Sequence, residues 1–429
     1  MSASSKLFHV RFRGPAPLGA AILKIARLVI ASAFCEAIPL STKEIALLRA
    51  SQPHTTLLAM TFSTAVARRA AWASVLLLAA FMLALASCTA VPSRPAATAQ
   101  PAASRTVTVM THDSFAVSKE VVAAFQQQCN CQVRFLKSGD AGLALNKAIL
   151  AKAAPLADLF FGVDNSFLSR ALAADIFESY ASPALANIPA DLKLDPQNRL
   201  SPVDFGYVAL NYDKKYFAEK KLALPAALRD LTRPAYRGLV VVENPATSSP
   251  GMAFLLTTVA VFGETGDYTY LDFWRDLRAN DVLVANGWED AYYGHFSGGS
   301  GKGERPLVVS YATSPAAEVF FADPQPAESP TGNILPAGQT FRQIEFVGIL
   351  KGAANADLAR QWVDFMLGET FQADIPLQLW VYPARSGVSL PEVFTRHAQT
   401  PAQPAAITPA QIEAGREKWL KAWTDMVLR

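Results

Sequence analysis

After Thr106 the chain alternates between strand-like and helix-like segments, and this alternation limits the fold more than any other feature of the sequence. The first segments read "TVTVMTHDSF", "SKEVVAAFQQQ", "CQVRFLKSG", "AGLALNKAILAKAA" and "ADLFFGVDN". Ser118 has the side chain and the position of a helix N-cap. Alternation of this kind predicts an α/β fold with a largely parallel sheet covered by helices.

A second α/β block follows a strand predicted at 204–213. It reads "RGLVVVENP", "SPGMAFLLTTVAVFG", "YLDFWRDLRAN", "DVLVANGW" and "PLVVSYATSP". A strand at 341–353 leads back, and helices end the chain, with Trp419 and Trp423 at helical spacing as predicted core residues. Because the chain enters the second block and returns, we expect two lobes joined by two crossing strands. Such a chain hinges at the crossings and binds a ligand between the lobes.

The N-terminal part carries the features of an export signal. Arg68 and Arg69 precede an uncharged apolar run at 70–87, and Cys88 follows it directly. A positive end, an apolar core and small residues before a cut are typical of a signal peptide. The segment "LASC" resembles the bacterial lipobox, whose Cys is acylated. A membrane-spanning helix is the alternative, but a Cys at the boundary and a spacer after it favour a lipoprotein.

The other N-terminal boundaries follow from this interpretation. Met60 begins a leader of normal proportions, so 60–87 is the predicted signal peptide and 1–59 a surplus extension. Residues 88–104, rich in Pro, Ala, Ser and Thr, are the predicted lipidated Cys and disordered linker. Several acyl groups on Cys88 give stable anchoring. We therefore expect an exported protein, lipid-anchored at the periplasmic or extracellular face of the cell membrane.

The basic excess of the chain lies in this leader. The whole chain has 39 Lys and Arg against 36 Asp and Glu, whereas 88–429 has 30 against 34. A slightly acidic folded part argues against a nucleic acid as partner.

The folded part contains two cysteines close together, Cys129 and Cys131. A disulfide that closes over one residue is strained, and exported chains nevertheless form disulfides. A bridge and two free thiols therefore both remain open. The C-x-C spacing alone is weak ground for a metal site.

Two predicted strands are each followed by hydroxyl residues and a Pro that begins a helix. Ser248 and Ser249 stand in the first of these positions, and Thr313 and Ser314 in the second. Helix capping explains either one taken singly. Two positive helix ends at the same sheet edge would form a site for an anion.

Aromatic residues lie near the same predicted strand ends, where capping does not require them. Trp288 follows "NG", Tyr311 precedes "ATSP", and Trp380 stands in a Pro-bounded loop. Aromatic faces attract cationic rings by about 0.5–2 kcal/mol each. A flat, positively charged ligand that carries a phosphate fits this combination. For Tyr292 and Tyr382, core packing and ligand contact both remain open.

Seven short motifs give the chain a specific family resemblance. They are "THDSF", "CNCQVRFL", "DFGYVALNYDK", "TSSPG", "NGWEDAY", "SYATSP" and "LWVYP". Over about 106–428 the chain resembles the thiamine-binding lipoproteins or periplasmic proteins of bacterial ABC transporters. The resemblance implies a two-lobed periplasmic-binding-protein fold of type II, each lobe a mixed sheet covered by helices. On this interpretation lobe 1 comprises 105–206 and 345–429, and lobe 2 comprises 207–344.

The same resemblance implies a solute-binding component rather than an enzyme. Such a protein captures thiamine, thiamine monophosphate or thiamine diphosphate between its lobes and delivers it to a permease dimer with its ATPase. We expect a monomer with no cofactor and no metal. Carried over motif by motif, the ligand-binding residues are Asp140, Ala141, Ser248, Ser249, Trp288, Tyr311, Ala312, Thr313, Ser314, Pro315 and Trp380.

The chain also departs from the family pattern in three places. His112 stands where members usually have Tyr, Ala141 replaces a Gly beside the ligand, and "QLW" replaces "GNW" before Tyr382. The main aromatic residues are intact, but the preferred phosphorylation state of the ligand is left open.

Three other functions deserve comparison. A thiamine-phosphate hydrolase needs a catalytic set, and His112, Asp113 and Ser114 come nearest to one, but adjacent residues of a strand point to opposite faces. A ferric-ion-binding protein shares the scaffold and uses paired tyrosines. Tyr292 and Tyr293 are neighbours, yet adjacent side chains of a helix diverge by about 100°. A polyamine or another small cation is the third alternative.

Overall fold

The computed structural model describes residues 105–429, so the predicted extension, signal peptide, Cys88 and linker lie outside the described residues. Strands within this part form one continuous sheet. Their bounds are β1 Arg105–Thr111, β2 Cys131–Lys137, β3 Leu159–Asp164, β4 Ser201–Asp213, β5 Val240–Glu243, β6 Leu283–Ala285, β7 Leu307–Tyr311, β8 Thr331–Ile334, β9 Phe341–Ile349 and β10 Tyr382–Pro383.

Helices alternate with these strands, and the C-terminal part of the chain is mainly helical. A π-helical segment, Asp290–His295, follows β6. The α-helices are α1 Lys119–Cys129, α2 Ala141–Leu150, α3 Leu168–Ala173, α4 Lys214–Lys220, α5 Ser249–Phe262, α6 Tyr270–Ala279, α7 Ser314–Phe321, α8 Ala356–Met366, α9 Glu369–Gln378, α10 Glu392–His397 and α11 Pro409–Val427.

The sheet has two parallel flanks and an antiparallel centre. Its strand order is β2-β1-β3-β9-β4-β7-β5-β6, and β8 and β10 also pair with β4. In one flank β1 is parallel to β2 and β3, and in the other β5 is parallel to β6 and β7. In the centre β9 is antiparallel to β3 and β4, and β4 is antiparallel to β7. The prediction of a largely parallel sheet is therefore correct for the flanks and wrong for the centre.

Strands β4 and β9 connect the two flanks. They pair from Ser201 opposite Val347 to Val208 opposite Phe341. Strands β1 to β3 lie on one side of this pair, and strands β5 to β7 lie on the other. The lobe boundaries at 206/207 and 344/345, which fall within these strands, stay a prediction.

Aromatic residues are the largest apolar side chains that are fully buried in the main core. Trp274, Trp362 and Trp423 are fully buried in one cluster with residues of both flanks. Burial of one large apolar side chain contributes about 1.5–3 kcal/mol. Trp419 and Trp423, predicted as core residues of the last helix, are 5% and 0% exposed. A smaller cluster surrounds the π-helical segment, with Trp288 packed against Val241, Ala285, Ala291, Tyr292, Phe296 and Val308.

Local signals explain several element boundaries. Ser118 caps α1 as predicted, because its hydroxyl accepts a hydrogen bond from the Val121 amide. At the other end Asn130 adopts a left-handed conformation, and Cys129 and Cys131 on either side of it are joined by a disulfide. Of the two alternatives for these cysteines, the structure has the bridge. None of the helices within 105–429 combines the length and apolar character that a bilayer crossing requires.

Candidate ligand-binding cleft

A cleft of about 520 Å³ opens where parallel strands of both flanks end. Its walls come from the segments that follow β1, β2, β5, β6 and β7, together with the loop before β10. Ligands of open α/β sheets bind outside the carboxyl ends of the strands. The volume also falls in the range of small-molecule sites, about 300–1,000 Å³.

Most of the predicted site residues meet in this cleft. Ser248 is fully buried behind the wall, and Ala312 is also buried. Pro315 lines a separate pocket of about 190 Å³ instead. The residues that do line the cleft are Asp140, Ala141, Ser249, Trp288, Tyr311, Thr313, Ser314 and Trp380. Contact of these side chains with a ligand stays a prediction.

Asp140 fixes one wall of the cleft. Its carboxylate accepts hydrogen bonds from the Ala141 amide at 2.8 Å and from the Trp288 amide at 2.9 Å. A Cβ atom at Gly287 would lie 2.9 Å from the same carboxylate, so a larger residue there would require the Asp140 side chain to shift. The Ser248 hydroxyl lies close by without a hydrogen bond of ordinary geometry. Burial raises the pKa of Asp140, and these donors oppose the shift.

Trp288 is held at both its backbone and its ring. The indole Nε1 donates to Ser310 Oγ at 2.9 Å, and the ring stacks on Tyr292 with 5.2 Å between centroids. The Tyr292 hydroxyl in turn donates to Glu318 at 2.8 Å. Tyr292 is therefore a core residue of the small cluster that also lines the cleft, and its contact with a ligand stays a prediction.

Tyr311 stands beside Trp288 at the end of β7. The two rings meet edge to face with centroids 6.3 Å apart. The Tyr311 hydroxyl bonds to the Gln343 side chain on β9. Burial, followed by the nearby Glu345 carboxyl, raises the pKa of this phenol well above its usual value. The phenol is therefore a neutral hydrogen-bonding group at neutral pH.

Trp380 brings an aromatic ring from the C-terminal part of the chain. Its backbone has a φ of 59°, a left-handed conformation that costs a non-glycine residue about 1–3 kcal/mol. The Thr313 hydroxyl donates to the Trp380 carbonyl and holds this conformation. The indole packs against Phe320 and Phe321 and stacks on Phe394. Tyr382, on β10, is buried and stacks on Phe205 outside the cleft.

Hydroxyl groups at the two helix starts already have partners within the protein. Ser249, the first residue of α5, donates to the buried carboxylate of Asp164 on β3. Ser314, the first residue of α7, shares a hydrogen bond of 3.0 Å with Ser310. Asp164 is 85 residues away from Ser249 in the chain, so sequence spacing did not indicate this partner.

Several polar residues that line the cleft were not predicted as ligand contacts, and two of them contact each other. Glu345 on β9 and His112 after β1 both line it, and His112 Nε2 lies 3.5 Å from Glu345 Oε1. Gly162, with a φ of 115°, leaves room for the imidazole, since a Cβ there would lie 2.8 Å from it. For His112 the sequence gave a hint, because it replaces the Tyr that family members usually have at this position. For Glu345 the sequence gave no hint, because its segment shows only the pattern of a strand.

His112 and Ser114 contact each other in the cleft. They follow β1 in a turn, closed by the Phe115 amide on the His112 carbonyl, and His112 Nδ1 and Ser114 Oγ are 3.0 Å apart. The argument from opposite faces concerned adjacent strand residues, so it does not apply to this pair, which is two positions apart and lies in a turn. Burial lowers the pKa of His112 to about 4, so the imidazole is neutral near pH 7 and a weak general base.

Glu345 belongs to a buried carboxyl pair with Asp204 on β4, which is fully buried. Burial raises the pKa of Asp204 to about 8, and burial together with Asp204 raises that of Glu345 well above its usual value. Two carboxyl groups that share a buried site cannot both ionise at low cost. Within residues 105–429, no three His, Cys, Asp or Glu side chains are grouped to hold a metal ion.

Two flanks joined by a pair of central strands, with a ligand-sized cleft at the strand ends, define a type II periplasmic binding protein. Comparison with known sequences gives the family. The chain belongs to the bacterial extracellular solute-binding proteins, whose family model matches residues 154–409.

Individual relatives are also similar over most of the chain. The thiamine-binding periplasmic protein of Salmonella typhimurium is 32% identical over 340 residues, which cover 77% of this chain and 96% of that protein. A solved structure, a periplasmic thiamin binding protein, is 29% identical with a TM-score of 0.67 and covers 76% of this chain and 97% of its own. Iron-bound HitA from Pseudomonas aeruginosa shares the fold at 22% identity and a TM-score of 0.58, covering 75% and 99%.

Proposed function

We propose that this chain captures thiamine or a phosphate ester of thiamine in the cleft and serves an ABC importer. The observation that carries the proposal is the meeting of Trp288, Tyr311 and Trp380 around one cleft with polar groups between them. Thiamine combines two flat rings, one of them a permanent cation, with a short hydroxyl tail. Aromatic faces bind cationic rings, and the relatives that match most of the chain are thiamine-binding proteins.

In this proposal the protein binds the ligand in the cleft and does not catalyse a reaction there. Neutral His112 is a poor base, and Ser114 bonds to its Nδ1 while Nε2 faces Glu345. The proposed protein therefore needs no cofactor and leaves thiamine phosphates intact. Incubation of the purified protein with thiamine monophosphate, with phosphate release as the readout, tests this point. Catalytic release of phosphate would contradict it.

Iron and polyamines fit the described side chains less well. The Tyr292 hydroxyl donates a hydrogen bond to Glu318, so Tyr292 and Tyr293 do not present two free phenols to the cleft. An extended polyamine has no flat ring, so it could not stack on the aromatic rings around Trp288. The similarity to iron-bound HitA is below 25% identity, so it concerns the fold alone.

The remaining steps of the proposal concern transport. The protein is exported and held at the membrane by acyl groups on Cys88, and it closes about β4 and β9 when ligand enters. The closed monomer then docks on a permease dimer with its ATPase. Mass spectrometry of the membrane fraction tests the anchor, since a diacylglycerol on Cys88 is expected and an unmodified Cys88 would contradict it.

Calorimetric titration of the purified protein tests the proposed ligand. The panel is thiamine, its monophosphate and diphosphate, putrescine and ferric citrate. We expect saturable binding at one site, with a Kd below about 1 μM, for at least one thiamine compound. Tighter binding of putrescine or iron, or no binding of any thiamine compound by folded protein, would contradict the proposal.

A further inference from the structure

A pair of buried carboxyl groups connects the cleft with the two central strands. Asp204 on β4 stands opposite Glu345 on β9, at an irregularity in the pairing of these strands. Glu345 lines the cleft and is 7% exposed, whereas Asp204 is fully buried and does not line it. The pair therefore has one member that a ligand can approach and one that it cannot.

No Lys or Arg within residues 105–429 neutralises this pair. Both carboxyl oxygens of Asp204 lack a hydrogen bond of ordinary geometry in this part of the chain, and Glu345 is the one ionisable group there that acts on Asp204. A buried carboxylate without a partner is costly, because it loses water and gains no compensating charge. Before a ligand binds, we therefore expect the pair to hold its protons near neutral pH.

The polar groups that face Glu345 are neutral or acidic. His112 Nε2 lies 3.5 Å from Glu345 Oε1, and a neutral imidazole either donates to a carboxylate or accepts from a carboxyl, depending on its tautomer. Lys137 on β2 acts on His112 and donates to the Asp113 carbonyl. The other groups are Asp204 from β4, Asp164 from β3 with Arg416 from α11 acting on it, Asp140 before α2 and Tyr311 from β7.

The two helices that pack on β9 bring no further charge to Glu345. Helix α5 contains no ionisable side chain. The charged residues of α8 have partners elsewhere, since Asp357 pairs with Arg105, Arg360 with Glu178, and Asp364 with the Tyr180 hydroxyl. A cation in the cleft would therefore be the first positive charge to act directly on the pair from that side.

We propose that the pair of Asp204 and Glu345 gives up a proton when a cation occupies the cleft, so that ligand binding is coupled to proton release. The inference rests on the proposed function, in which the ligand carries a permanent positive charge. The O–H bond of one carboxyl breaks, the carboxylate keeps the electron pair, and the proton passes to the buffer. A positive charge within about 4–6 Å favours the carboxylate. Asp204 does not touch the ligand and acts through Glu345.

This coupling makes the affinity depend on pH in one direction. Because the complex holds fewer protons than the free protein, a higher pH favours the complex. Affinity for thiamine should rise roughly three- to thirtyfold between pH about 6 and about 8. The rise should level off at higher pH, because burial raises the pKa of Asp204 only to about 8 and the free protein loses the proton there.

Calorimetric titration with thiamine in two buffers of different ionisation enthalpy, HEPES and Tris, counts the protons directly. At pH about 7.5 we expect release of roughly 0.3–1 proton for each thiamine bound. Thiamine binding without proton release would overturn the inference and leave the proposed function standing. Failure of thiamine to bind to folded protein would overturn the proposed function, and the inference with it.

A double variant assigns the proton to this pair. Asp204→Asn with Glu345→Gln keeps the shapes of both side chains but cannot ionise, so it should release no proton from this site and should show a flat pH profile. Glu413→Gln, which changes an exposed carboxyl of α11 outside the cleft, should behave as wild type does. Wild-type proton release by the folded double variant would overturn the assignment.

Infrared difference spectroscopy of the wild-type protein keeps the test decisive if the double variant does not fold. Addition of thiamine should reduce the C=O stretching band of protonated carboxyl groups, because one of them becomes a carboxylate. An unchanged band at full occupancy would overturn the inference.

Discussion

At the residue scale, some side chains of the cleft could be predicted from local sequence motifs. Others reach the cleft only because of the fold, and no local motif indicates them. Asp140, Trp288 and Tyr311 were predicted from motifs and lie together in the structure. Glu345 was not, because strand residues alternate between faces and the exposed face depends on register. The register of β9 against β3 and β4 contains irregularities that the sequence does not show.

Trp288 should contribute strongly to affinity for the proposed ligand. Trp288→Ala removes the ring that faces the cleft and should weaken binding by about 1–3 kcal/mol in a calorimetric titration. Trp288→Phe keeps a flat ring but loses the hydrogen bond to Ser310, so a smaller loss is expected. Melting temperatures check that both variants fold. Wild-type affinity in folded Trp288→Ala would exclude the ring from the site.

Asp204 should make stability depend on pH. Its pKa rises from about 3.9 in the unfolded chain to about 8 in the folded protein, so the folded state binds the proton more tightly. This stabilisation is complete below pH about 4 and is lost as pH rises through about 8. Glu345 shifts in the same direction.

The measurement is the free energy of unfolding in urea between pH about 5 and about 9. Wild-type protein should lose stability across this range, and Asp204→Asn, which keeps the shape but cannot ionise, should lose less. Identical slopes for the two proteins would show that Asp204 does not hold its proton in the folded state.

At the element scale, the sequence predicted most strands and helices, but it did not predict which elements pair or pack with each other. The change from β7 to α7 was visible in "VVSYATSPAAE", and α1, α5 and α11 lie where predicted. Helix α9, which contains Pro376, and strand β8 were not predicted, because an internal Pro and a short Gly-containing strand weaken local signals. The antiparallel centre depends on long-range pairing that alternation alone does not specify.

Helix α7 should position the loop that carries Trp380. Thr313→Val removes the hydroxyl that holds the left-handed Trp380, so the loop should relax and affinity should fall by roughly 1–2 kcal/mol. Thr313→Ser retains the hydroxyl and is the matched control. Calorimetry on both variants provides the comparison. Equal ligand affinities of the Thr313→Val and Thr313→Ser variants would mean that this hydrogen bond does not position the Trp380 ring.

At the scale of the whole molecule, one sheet carries both flanks, and the cleft lies where their loops meet. The fold class follows from the order of elements and from the family resemblance. The lobe boundaries depend on where β4 and β9 bend, which neither local pattern nor a single conformation determines.

Closure about these strands should be visible in solution. Small-angle X-ray scattering should show a smaller radius of gyration after saturation with the proposed ligand, because the flanks approach each other. Glu413→Gln, which changes an exposed carboxyl of α11 outside the cleft, should respond as wild type does. An unchanged radius at full occupancy would exclude a large hinge motion.

A crystal structure of the protein with thiamine tests the central claim most directly. We predict thiamine in the cleft, with its rings in contact with Trp288 and Trp380. Thiamine bound elsewhere, or in the cleft without contact to these rings, would contradict the account.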